Sequence, residues 1–173
     1  MSTEGQPVWH LVFMGVSGSG KSTAALAVQE RLGWEFAEGD DFHPAANIEK
    51  MSAGYPLTDA DREPWLASLA AWTRTHEDAG TPTILSCSAL KRVYRDVLRT
   101  GGERTFFVHL HGDKGLMLER MGSREHFMPS SLLESQLDAL EPIQPDEDGM
   151  LVDPADAPAE IAGQVLRRIG LAG

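Results

Sequence analysis

The sequence predicts an α/β fold in three layers, with a mainly parallel central sheet of about five strands and helices on both faces. Two observations predict it: strand-like and helix-like segments alternate from end to end, and the apolar runs are short, as buried strands require. No repeat, low-complexity tract or long linker interrupts that alternation.

Val8 to Met14 (VWHLVFM) reads as a buried first strand ended by glycine, and Ser22 to Arg31 (STAALAVQER) as a helix stopped by Gly33. Trp34 to Glu38 gives a second strand. Asp59 to Ala79 reads as a long amphipathic helix. It opens on acids, places Pro64 early enough for a first turn, and carries Trp65, Leu66, Leu69 and Trp72 at helical spacing as core residues. Thr83 to Ser86 and Thr105 to Leu110 are strands three and four, followed by helices over Leu90 to Leu98 and Lys114 to Met121. Gly149 to Val152 is a fifth strand before a last helix over Ala159 to Ile169. His43 to Leu57 and Gly122 to Leu140 fit the alternation poorly, as binding flaps or lids inserted into a sheet protein do.

At 173 residues the chain is expected to form one domain, residues 1–173, burying about two-thirds of its unfolded surface with no need of metal or disulfide. Lys and Arg total 15 against 26 Asp and Glu, a net charge of −11, which argues against a general nucleic-acid binder. An anionic ligand in a local cationic pocket remains compatible with that balance. No basic leader with an apolar core opens the sequence and no apolar run is long enough to span a bilayer. A single cysteine, Cys87, fits a reducing compartment, so a soluble cytoplasmic protein is expected.

Gly15-Val16-Ser17-Gly18-Ser19-Gly20-Lys21-Ser22 matches G-x-x-x-x-G-K-[ST] in full, after an apolar strand and at the start of a helix. Such a loop turns backbone N–H groups inward around a phosphate chain, and the helix N-terminus adds partial positive charge. Lys21 is placed to reach the β and γ phosphates, the Ser22 hydroxyl to ligate Mg²⁺, and Thr23 completes the nucleotide-binding stretch. The alternative, a glycine-rich turn with a solvated lysine, does not account for the complete motif in its context. A motor or switch domain would end a neighbouring apolar strand in aspartate, but Thr83 to Ser86 runs into Ser86-Cys87-Ser88, and no NKxD-type guanine-reading sequence occurs. A small-molecule kinase with a mobile lid fits best.

The acceptor side is carried by Gly39-Asp40-Asp41-Phe42-His43-Pro44, Asn47 to Met51, Gly54, Pro56-Leu57, Asp59 and Asp61-Arg62 with Pro64-Trp65-Leu66. With Ser86-Cys87-Ser88-Ala89-Leu90-Lys91, Tyr94-Arg95-Asp96 and His126-Phe127-Met128, these segments closely resemble the gluconokinases of the small P-loop kinase group. That group is related in fold to shikimate kinase and the nucleoside monophosphate kinases. The resemblance runs from the phosphate loop to Leu140-Glu141-Pro142. It implies a P-loop kinase fold and ATP-dependent phosphorylation of D-gluconate on its 6-hydroxyl, feeding sugar-acid catabolism, with Mg²⁺ and a homodimer.

Within that resemblance, residues 39–66 form the acceptor-binding segment and residues 120–131 the lid. Asp40, just past a strand, is the candidate to take the hydroxyl proton or to hold Mg²⁺ through water; turn capping is its alternative. His43 is the candidate sugar-hydroxyl contact, or otherwise a turn residue before proline. Arg62 is placed on the substrate carboxylate by analogy with shikimate kinases, the alternative being an exposed ion pair with Asp59 or Asp61. Lys91 and Arg95, four apart, are expected on one helical face toward the carboxylate or the transferred phosphoryl, or otherwise on a solvated face. Arg120 and Arg124, also four apart, are similar to lid arginines that close over ATP, and Arg124 is counted with Lys21 and Asp40 as catalytic. The lid departs from the family pattern in one respect: Glu125, not glycine, precedes His126-Phe127. The rival readings are a kinase for another sugar acid or for shikimate, and a nucleotide-binding regulator without transferase activity. An acceptor panel separates the first. Nucleotide binding without acceptor-stimulated ADP release would identify the second.

Overall fold

The computed structural model describes residues 8–122 and 132–171. The strands are β1 (Trp9–Met14), β2 (Glu35–Glu38), β3 (Thr83–Ser86), β4 (Arg104–Leu110) and β5 (Gly149–Val152). The helices are α1 (Lys21–Leu32), α2 (Ala45–Ser52), α3 (Asp59–Asp78), α4 (Arg92–Arg99), α5 (Lys114–Gly122), α6 (Leu132–Ala139) and α7 (Pro158–Arg168). All strand pairs are parallel, in the order β2-β3-β1-β4-β5. The chain leaves β1 for one side of the sheet and crosses to the other after β3. The crevice beyond the carboxyl ends of the central strands is therefore where an α/β sheet holds its ligand.

Alternation along β1 divides the core between two faces. Leu11 and Phe13 pack with Ala24, Ala25 and Val28 of α1 and Ile161 and Val165 of α7. Val12 and Met14 pack on the other face with Trp65 and Leu69 of α3, Leu98 of α4 and Leu133 of α6. Burying a leucine such as Leu69, fully enclosed here, is worth about 1.5–3 kcal/mol.

The expected elements are present within one or two residues, with three differences. The segment 43–57, read as an insertion, contains α2, whose first bonds run from the Asn47 and Ile48 N–H groups to the Pro44 carbonyl. Its buried Met51 meets Leu57 and Leu132 in a small separate cluster. Leu132 to Ala139, read as irregular, is α6. Pro64 falls in the second turn of α3 rather than the first, because Thr58 caps that helix. The Thr58 hydroxyl accepts from the Asp61 N–H at 3.1 Å while the Asp61 carboxylate accepts from the Thr58 N–H at 2.9 Å.

Candidate functional site

The phosphate loop joins β1 to α1 and depends on glycine where the backbone is crowded. A Cβ on Gly15 would lie 2.6 Å from Ser19 Oγ and 2.8 Å from the Leu110 carbonyl, and Gly20 caps α1 with φ +88°. Around the loop stand the ends of β2 and β3. Gly39, directly after β2, has no room for a side chain, since a Cβ there would sit 2.4 Å from the Ser86 carbonyl. That close approach puts three oxygens together: Ser22 Oγ donates to Glu38 Oε2 at 2.5 Å and lies 2.9 Å from Ser86 Oγ. A hydroxyl, a carboxylate and a second hydroxyl suit a hard divalent cation that draws its other ligands from phosphate and water. Among the described residues no cluster of three carboxylate, imidazole or thiolate groups exists to hold a metal by itself.

Glu38 is the residue that sequence reasoning missed. The Ser86 that ends β3 in place of aspartate speaks only against a motor or switch domain, and Asp40 is the one acid that the sequence singles out near the end of β2. The pair that flanks the loop is Glu38-Gly39-Asp40. An acid-x-acid spacing across the end of the second strand is the available signal.

Beside the loop, Lys21, Asp40, His43 and Arg62 line one narrow cavity, with Trp65 and Gln136 among its other walls. Asp40 sits in a single 3₁₀ turn, Gly39–Phe42, between β2 and Pro44. His43 stacks flat on Trp65, ring centres 4.1 Å apart, and the indole N–H donates to the Gly39 carbonyl at 2.8 Å. Trp65, read as core, is buried as expected and also fixes this wall. Asn47 Nδ2 donates to the Asp61 carbonyl at 2.9 Å, which identifies it as the amide nitrogen, and lies 3.3 Å from His43 Nδ1. The imidazole proton is therefore on Nε2, 3.9 Å from Asp40 Oδ1. Burial pushes His43 down to about 4 against the opposing pull of Asp40, so the ring is neutral at pH 7.

Arg62 does not form the exposed ion pair with Asp59 or Asp61. Asp61 is engaged by Lys50 at 2.6 Å, a bond that with the Thr58 cap holds its carboxyl down to about 2. Asp59 accepts from the Tyr94 hydroxyl and from Lys91, which lower its pKa. Arg62 Nη1 instead donates to the Leu57 carbonyl at 2.6 Å and to Tyr94 Oη at 3.2 Å, with its guanidinium 5.3 Å from the Tyr94 ring centre. Among the described residues no carboxylate lies within salt-bridge distance of it.

Lys91 and Arg95 do not share a face, a correction with a local cause. Helix α4 begins at Arg92, and Lys91 is its N-cap with extended backbone, φ −109°. Lys91 reaches Asp59 at 3.1 Å, outside the cavity wall. Arg95 turns inward, is fully buried, and pairs with Glu147, Nε to Oε1 at 2.7 Å and Nη2 to Oε2 at 3.0 Å. Its guanidinium is therefore enclosed in the protein and is not part of the lining of that cavity.

On the opposite side of the loop, Ser19, Gly20, Thr23, Arg120 and Pro154 border a cavity of 270 Å³. Arg120 bridges its mouth, Nη1 donating to the Ser19 carbonyl at 3.0 Å and Nη2 to the Pro154 carbonyl at 2.6 Å. Arg124, His126 and most of the segment 120–131 lie outside the described residues. Cys87 sits among these loops as an inert thiol, burial pushing it up to about 12. No helix among the described residues is long and apolar enough to cross a membrane.

The AAA domain family model matches residues 11–143. The chain is 49% identical over 158 residues to a gluconokinase of Gluconobacter oxydans, covering 91% of this chain and 89% of that one. A sugar kinase of Janibacter sp. HTCC2649 superposes with a TM-score of 0.91 at 51% identity, covering 96% of each chain. A gluconokinase of Sinorhizobium meliloti 1021 gives a TM-score of 0.83 at 47% identity, covering 95% of this chain and 93% of that one. With sequence identity and fold matched over nearly the whole length, the chain belongs to the AAA domain family and, within it, to the gluconokinases.

Proposed function

We propose that this chain transfers the γ-phosphoryl group of ATP to the 6-hydroxyl of D-gluconate, giving 6-phospho-D-gluconate and ADP. The convergence of Lys21, Asp40, His43 and Arg62 on one cavity beside the phosphate loop carries this reading. The cavity behind Thr23 and Arg120 takes the nucleoside end of ATP, so the triphosphate runs through the loop toward the acceptor. Loop amides and Lys21 hold the phosphates and meet the charge that spreads over the transferring group. Asp40 accepts the proton of the attacking hydroxyl as the O6–phosphorus bond forms and the β–γ bridge breaks, leaving its electron pair on ADP. Neutral His43 offers its Nε2–H to a sugar hydroxyl oxygen, and Arg62 anchors the carboxylate at the far end of the chain, fixing the 6-hydroxyl in line.

Ser22 and Glu38 would hold Mg²⁺ on the triphosphate, where the ion supplies neutralising charge to the phosphoryl oxygens. Arg124 completes the cationic surround in this proposal, as the family pattern implies. A homodimer and a cytoplasmic location are proposed on the same footing, supported by the family resemblance and the single buried cysteine.

Steady-state turnover against gluconate, shikimate and related sugar acids tests the assignment. Gluconate is expected to have the highest kcat/KM, and a preferred different acceptor would refute it. Arg62→Ala is expected to raise KM for gluconate about 10–100-fold with a smaller change in kcat, since a charge-assisted bond is lost from the bound ground state. An unchanged KM in that variant would remove Arg62 from the carboxylate.

A further inference from the structure

We infer that the buried Arg95–Glu147 pair is a positioning device for the turn 86–90, which forms one wall of the acceptor cavity; the inference rests on the phosphotransfer reading above. Ser88 and Leu90 of this turn line the cavity with Lys21 and Asp40. Between them Ala89 is fully buried at φ +47°, a left-handed conformation found at no other non-glycine residue among those described. Such a backbone persists only where its surroundings over-determine it.

Arg95 is the group that does so. Its Nη1 donates to the Ala89 carbonyl at 2.9 Å and to the Leu90 carbonyl at 3.4 Å, the two carbonyls that directly follow the strained φ. The other edge of the guanidinium is held by both oxygens of Glu147. Glu147 is enclosed in turn: it also accepts from Arg99 and, at 2.8 Å, from the Gln144 N–H. Burial works to raise its pKa, but the two guanidiniums and that N–H outweigh it and bring the carboxyl down to about 2, so the pair is charged at neutral pH. The turn is further tied to the Glu141 N–H through the Leu90 carbonyl at 2.7 Å, and to the Gly15 N–H through the Ser88 carbonyl at 3.3 Å.

Two charges removed from water are weak evidence of added stability, since a packed apolar pair often does as well. What an apolar pair cannot supply is a rigid fork that faces a carboxylate with one edge and two successive carbonyls with another. Without that fork Ala89 relaxes toward negative φ, and Ser88 and Leu90 leave their places in the wall.

Four variants test the inference: Arg95→Lys, the charge-free pair Arg95→Met with Glu147→Gln, and each of these combined with Ala89→Gly. The folded variants that keep Ala89, checked by circular dichroism and thermal unfolding, are expected to lose about tenfold or more in kcat/KM for gluconate. Affinity for a non-hydrolysable ATP analogue should stay within about threefold of wild type. Hydrogen exchange in residues 86–91 should quicken. Ala89→Gly, which adopts φ +47° without strain, should recover most of the lost kcat/KM, a rescue that a merely stabilising pair would not show. Unchanged kcat/KM with unchanged exchange, or a loss that Ala89→Gly leaves undiminished, overturns the inference. Should the charge-free pair not fold, Arg95→Lys decides alone. Wild-type turnover is measured alongside: if gluconate is not phosphorylated the functional reading fails, while exchange in 86–91, read without acceptor, still decides the role of the pair.

Discussion

Replacing Lys21 with alanine is expected to lower kcat by about 10²–10³-fold, the loss that follows removal of one preorganised group facing transition-state charge. Lys21 opens α1 at its N-terminus and lines, with Asp40, the cavity proposed for the acceptor. Its charge therefore stands at the junction of phosphate loop and acceptor. The variant should fold as the wild type does. A cation at a helix N-terminus opposes the helix dipole and alanine is a better helix former, so removing Lys21 takes nothing from the stability of α1. A coupled ADP-release assay with a thermal unfolding curve checks both halves. A fall in activity matched by a fall in unfolding temperature would point to a structural lysine instead.

Asp40→Asn has the second largest expected effect, about 10²–10⁴-fold in kcat, because the amide keeps the shape of the side chain but no longer takes the hydroxyl proton. The residue sits at the turn after β2 with its carboxylate 3.9 Å from His43 Nε2 and no cap role of its own in the 3₁₀ turn, whose N-cap is Glu38. The expectation separates it from the capping alternative, which would cost stability and spare turnover. KM for gluconate should change less than kcat. If kcat survives in Asp40→Asn while the Mg²⁺ dependence shifts, the proton acceptor is another group and Asp40 serves the metal side.

How much of this site is legible in the sequence depends on whether the relevant spacing is covalent. The phosphate loop is eight consecutive residues, so its geometry follows from chain connectivity, and β1, Gly15 and α1 stand where the motif requires. Asp40, His43 and Arg62 were found through family resemblance; their meeting in one cavity depends on α3 packing Trp65 beneath His43, a tertiary fact that no spacing states. Glu38 reads in the sequence only as the last residue of a strand, and its carboxylate matters only once Gly39 lets β2 close on Ser86.

The basic residues show the same limit. A four-residue spacing places two side chains on one helical face only if both are in the helix, and it does not say which face is buried. Lys91 failed the first condition and Arg95 the second. Arg92, the first residue of α4, is spent on Asp146 at 2.7 Å. Among the described residues, the lysines and arginines that line the two cavities beside the loop are Lys21 and Arg62 on one side and Arg120 on the other. A net charge of −11 thus surrounds a small cationic site built from few residues.

The central claim is a transfer of phosphate from ATP to one hydroxyl of one sugar acid, and ³¹P and ¹³C NMR of the reaction mixture tests it most directly. With purified protein, ATP, Mg²⁺ and D-gluconate, the account predicts a single phosphate monoester, coupled to C6, formed in step with ADP. ADP formed without any ester, or an ester at another carbon, would contradict it.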